Sequence, residues 1–179
     1  MPQDTDNNEI RFREVQRFRQ PLLWLFLIAL AAFSLFSIVY QVVLGIPVGN
    51  NPAPDSVLFL IWVIFGVGFP LFFALLSLTV EVRGSGLYYR FLPLHLSFRR
   101  IECDEVATIE AKEYRPLLEF GGWGIRYGGR GRKAYNVSGT RGVEILLKSG
   151  KRVLFGSQRP EELARAIGEA RSRSSGGRA

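Results

Sequence analysis

No lysine or arginine occurs between Arg19 and Arg83, and that interval holds two long apolar runs, Leu22–Leu44 and Val57–Val80, parted by a short polar loop. The hydrocarbon core of a bilayer is about 30 Å thick, so a spanning helix needs about 20 apolar residues. Each run reaches that length, and neither contains a charged side chain. The chain is therefore expected to build a two-helix transmembrane hairpin over 21–80, with spans 22–44 and 57–80 and an outer loop 45–56. A short segment 1–20 precedes it, a folded domain occupies 81–171, and 172–179 reads as a flexible tail.

Charge sets the expected orientation. Lys+Arg number 23 against 16 Asp+Glu, a net +7, and the excess lies almost wholly after Glu81. Cytoplasmic flanks retain Lys and Arg. Arg11, Arg13, Arg17 and Arg19 precede the first run, Arg83, Arg90, Arg99 and Arg100 follow the second, and Gly45–Ser56 carries none. A multi-pass protein of the cytoplasmic membrane with both termini cytoplasmic is the expectation. The single cysteine, Cys103, excludes an intrachain disulfide and agrees with a reducing compartment. The first run exceeds a signal-peptide h-region and no A-x-A site follows it, so cleavage is not expected.

Along the chain, Met1–Asn8 is polar and reads as disordered. Ile10, Phe12, Val15 and Phe18 alternate with arginines in a way that predicts a short helix in the headgroup layer. Pro21 opens the first span, and Trp24 and Tyr40 suit interfacial anchoring. Asp55 or Ser56 is the expected cap of the second. Gly66, Gly68 and Pro70 predict close helix packing and a kink, since Pro70 leaves the Gly66 carbonyl without a partner.

After Val80 the pattern turns to alternation. Leu87–Leu92 follows a Gly84-Ser85-Gly86 turn, Leu94, Leu96 and Phe98 alternate beyond Pro93, and Val143, Ile145 and Leu147 lead through Ser149-Gly150 to Val153 and Phe155. These predict antiparallel strands in hairpins, with further strands within Glu105–Tyr114 and Gly124–Val137. Pro160-Glu161-Glu162 starts a helix whose stripe is Leu163, Ala166, Ile167 and Ala170.

The segment with the strongest local character is Tyr114–Gly139, which holds seven glycines. Gly121-Gly122-Trp123-Gly124 sets a large aromatic on a backbone with few side chains, and Arg126, Arg130, Arg132 and Lys133 add positive charge. Such a tryptophan either folds under a loop or stands out as a recognition anchor. The basic cluster is likewise either a solvated loop or a site for an acidic peptide, a lipid headgroup or a sister subunit. Tyr114, Arg115, Trp123, Arg126, Arg130, Arg132, Tyr135 and Asn136 are the candidate binding residues. No nucleotide-binding glycine motif occurs, and one histidine (His95) with one cysteine leaves little metal chemistry. Glu102, Asp104 and Glu105 read as a charged turn rather than a cation site. No catalytic residue, cofactor or nucleic-acid partner is expected.

Several short strands followed by one amphipathic C-terminal helix is the order of a pleckstrin-homology (PH)-like fold, a bent antiparallel sheet or barrel closed by that helix. The chain resembles bacterial PH-like domain membrane proteins in which a two-helix hairpin precedes the domain. The resemblance is carried by Tyr114-Arg115-Pro116, Gly121–Arg126, Ala134–Gly139 and Gly156–Leu163. It implies a membrane α-hairpin plus an α+β domain and no activity. Phosphoinositide-binding PH domains place basic residues around the first hairpin loop. Here Gly84-Ser85-Gly86 is flanked only by Arg83 and Arg90, which departs from that route. The expectation is a non-enzymatic module that binds a protein partner or a second copy of itself at the cytoplasmic membrane surface. The alternative is a protein that binds anionic lipid through Arg126–Lys133.

Overall fold

The computed structural model describes residues 9–176 and, within them, every side chain except those of 130, 175 and 176. Two compact units emerge. One runs from Phe18 to Leu76; the other combines the residues up to Arg17 with those from Ser77 onward.

In the first unit, α1 (Pro21–Ile38) continues through a π-helical turn, Val39–Val43. The return helix comprises α2 (Asp55–Ile61), a π-helical stretch Trp62–Gly68 and α3 (Phe69–Leu75). The stretches Pro21–Val43 and Asp55–Leu75 are both long and apolar enough to cross a membrane. Pro70 lies in the first turn of α3, and just before it the Phe69 N–H donates to Ile64 O, five residues back. The missing proline donor is thus met by a shift of ladder. A Cβ on Gly66 would lie 2.6 Å from the Trp62 ring and 3.0 Å from Ser34 Oγ on α1, so glycine lets the two helices approach here. Two expectations are corrected. Pro54 occupies the N-cap without a side-chain bond, and Asp55 Oδ1 instead accepts from Gln41 Nε2 at 2.9 Å. The second helix also stops at Leu75, because Ser77–Val80 already belongs to a strand.

The second unit is a mixed α/β domain. Strands β1 (Ile10–Arg17), β2 (Ser77–Arg83), β3 (Gly86–Leu92) and β4 (Arg99–Glu102) form one sheet in that order. After β5 (Val106–Glu113) come α4 (Pro116–Phe120), β6 (Gly124–Tyr127), β7 (Lys133–Asn136), β8 (Arg141–Leu147) and β9 (Arg152–Gly156). The second sheet has the order β5-β8-β9-β7-β6. Helix α5 (Pro160–Gly176) ends the described chain.

The headgroup-layer helix expected over residues 10–18 is strand β1. It pairs with β2 from Ile10↔Arg83 to Arg17↔Ser77, so residues on both sides of the apolar unit share one sheet. The alternation expected at Leu94–Phe98 is a loop, and β4 begins only at Arg99. The β7–β9 pair is parallel, so the second sheet is not wholly antiparallel, and both sheets are open rather than joined into one barrel. Helix α5 packs on β5 and β8 of one sheet and on β1, β2 and β3 of the other. Leu163, Ala166, Ile167 and Ala170 are buried there. It runs past Arg171 into the stretch expected as a tail; the remainder of that tail, 177–179, and the polar start 1–8 lie outside the described residues.

Candidate functional site

Strand β6 is the outer strand of the five-stranded sheet, paired among the described residues with β7 alone, from Gly124↔Asn136 to Tyr127↔Lys133. Its start is shaped by glycine. Gly121 closes α4 in the left-handed region at φ 70°, and Gly122 follows at φ 125°, angles that a side chain strains. The chain is thereby turned so that the half-buried Trp123 lies beside the loop after β7, where its Nε1–H donates to Gly139 O at 3.1 Å. Arg126 is exposed, and its Nε–H donates back to Trp123 O at 2.9 Å. Tyr127, on the same strand, is 73% exposed.

Three of the candidate residues face the interior. Asn136 is fully buried, accepting from Gly124 N at 2.9 Å and donating to Tyr114 Oη at 3.1 Å. Tyr114 lies edge-on to Phe120 in a cluster with Ala134 and Leu154. A Cβ on Gly156 would meet Asn136 Cβ at 2.8 Å, so the backbone of β9 closes over the pair. This chain of bonds ties β5, β6 and β7 together, a scaffolding role. Tyr135 is also buried; its ring stacks on Phe155 at 5.5 Å and lies near Tyr89 and His95. Burial, followed by a hydrogen bond with Tyr135, pushes the Tyr89 hydroxyl up to about 12.

The basic cluster divides. Arg132 is held between two carboxylates, 3.0 Å from Glu119 Oε2 and 3.0 Å from Glu144 Oε1, with its guanidinium 4.9 Å over Phe120. Lys112 reaches Glu144 Oε2 at 3.0 Å, and Arg152 is 3.9 Å away. Burial opposes ionisation of Glu144, but Lys112 and Arg132 outweigh it and hold its pKa below the usual carboxylate value. Glu119 is lowered too, first by the backbone N–H of Arg115, which it accepts at 2.8 Å, and then by Arg132. Lys133 lies 5.0 Å over the rings of both Tyr127 and Tyr135. The side chain of Arg130 lies outside the described residues, and Arg115 is exposed at the N-cap of α4. An open cleft of about 510 Å³ is lined by Glu119, Gly129, Arg132 and Arg152, and its charges are matched within the protein.

Of the candidates whose side chains are described, Arg115 and Arg126 are exposed and Trp123 and Arg132 part-exposed, Arg132 being held by Glu119 and Glu144. Leu117 and Leu118 on α4 join them as exposed groups that sequence pattern did not single out. Another unread feature is Glu14. Buried on β1, it accepts from Ser157 Oγ at 2.6 Å, Gln158 N at 2.8 Å and Gln16 Nε2 at 2.9 Å. It locks the first strand to the turn entering α5. Glu102 and Glu105 form a capping box around the 3-10 turn that holds the buried Cys103. Among the described residues no three His, Cys, Asp or Glu side chains converge as metal ligands.

The chain belongs to a family of unknown function, DUF6141, which matches residues 4–173. No curated protein and no solved structure matches it.

Proposed function

We propose that this protein is a membrane-anchored, non-enzymatic interaction module, its apolar helices spanning the cytoplasmic membrane and its sheet domain binding a protein partner or a second copy on the cytoplasmic side. The observation that carries this reading is the pairing of β1 with β2. One strand precedes the apolar helices and the other follows them, and two strands of one sheet must share one side of any bilayer. That requirement is met by an even number of spans. Retention of arginine in both flanks and its absence from Gly45–Ser56 supports the cytoplasmic side.

Strand order supports a PH-like reading of the domain. Without the β6–β7 hairpin the order is a four-strand meander, then β5, β8 and β9, then the helix. On this reading the membrane hairpin is an insertion in the first β-hairpin, and Gly84-Ser85 turns the second.

The binding surface is the free edge of β6 with Trp123 and Arg126. An edge strand offers unpaired N–H and C=O groups to an added strand. Lipid recognition by Arg126–Lys133 is less favoured, because Arg132 is matched by Glu119 and Glu144 and Lys133 lies over two tyrosine rings. Crosslinking the full-length protein in native membranes tests the reading: Trp123→Ala with Arg126→Glu should remove crosslinked species that the wild type forms. Unchanged crosslinking with intact melting would refute this surface.

A further inference from the structure

Leu94 and Leu96 stand 57% and 83% exposed on the loop 93–98 between β3 and β4, and the loop is built to keep them outward. His95, between them, is buried, its N–H donating to Phe91 O at 2.7 Å and its ring edge-on to Tyr89 at 6.3 Å and Tyr135 at 5.9 Å. Phe98 closes the loop beneath the guanidinium of Arg90, 4.6 Å from its ring centre. Exposed leucines fixed in this way do not gain burial from any packing within the domain.

Register shows which end of the sheet the loop occupies. Arg17 pairs with Ser77, and Ser77 with Leu92, so these three residues form one row across β1, β2 and β3. The same row is where the chain leaves the sheet for the apolar helices, after Arg17, and returns from them, at Ser77. Three residues make the outward connection and one the return. Arg17 is exposed in this row, and Arg99, directly after the loop, is exposed at the start of β4 opposite Tyr89, three residues along β3 from Leu92.

We propose that loop 93–98 dips into the membrane surface, seating Leu94 and Leu96 at the boundary of headgroups and acyl chains with Arg17 and Arg99 against anionic headgroups. This rests on the membrane reading given above. Apolar groups flanked by cations have the composition that such a boundary takes, at a depth of about 5–10 Å.

The test uses the full-length chain in vesicles of phosphatidylcholine and phosphatidylglycerol, with a fluorescent label on single cysteines in a Cys103→Ser background. Leu96→Cys, Leu118→Cys (the exposed leucine of α4) and Ile28→Cys (within α1) are compared with and without bromine on the acyl chains. The proposal expects quenching at Leu96→Cys roughly twofold or more above that at Leu118→Cys. Strong quenching at Ile28→Cys with equal, weak quenching at the other two would overturn the loop and leave the membrane hairpin standing. Absence of quenching at Ile28→Cys would overturn both.

Discussion

Glu144 shows how the basic stretch around β7 is neutralised from within. Its side chain is only 7% exposed and sits among Lys112, Arg132 and Arg152. Because its folded pKa lies below the ordinary 4.5, its contribution to stability is complete above that value and is lost as the pH falls through the depressed one. Glu144→Gln should cost on the order of 1–3 kcal/mol at neutral pH and flatten the acid limb of the stability curve; denaturant melts across about pH 2.5–7 at constant ionic strength measure both. Trp123 is of another kind. Its ring is half-buried and makes one hydrogen bond, so Trp123→Ala should cost about 1–2 kcal/mol, short of the roughly 3–5 kcal/mol of a buried aromatic. A larger loss would make Trp123 scaffold and remove it from the binding surface.

At the scale of elements, β1 is the piece that the sequence hides. Its inward positions are Phe12, Glu14 and Gln16, and Val15 points outward, so hydrophobicity alone does not alternate. The inward polar pair is accommodated by bonds to Gly156, Ser157 and Gln158, which lie about 140 residues away. No local pattern announces such partners. Glu14→Ala should leave buried donors unpaired and cost about 3 kcal/mol, read from the melting of the purified full-length protein. The end of the second span was obscured similarly. Leu78, Val80 and Val82 are a buried strand fused to an apolar helix, and hydropathy does not distinguish them. By contrast β8, β9 and α5 were legible, because Ser149-Gly150 marks a turn and the α5 stripe has helical spacing. Ile167 is 1% exposed, so Ile167→Asp should abolish the cooperative melt of the domain. Of the candidate site, the glycines and Trp123 could be picked out locally. The burial of Tyr114, Tyr135 and Asn136 could not, since their contacts come from strands distant in sequence.

For the whole molecule, the arrangement is one sheet domain interrupted by two apolar helices, with β1 before them and β2 after. The account stands on the claim that this interruption is a membrane hairpin whose flanks share the cytoplasmic side. Single cysteines in a Cys103→Ser background test it most directly, at Glu9 before β1, Asn50 in the loop between the helices and Ser149 in the β8–β9 turn, all exposed positions. With a membrane-impermeant maleimide on intact cells, Asn50→Cys should be labelled, whereas Glu9→Cys and Ser149→Cys should react only after permeabilisation. Labelling of Ser149→Cys in intact cells, or opposite behaviour of Glu9→Cys and Ser149→Cys, would contradict the account.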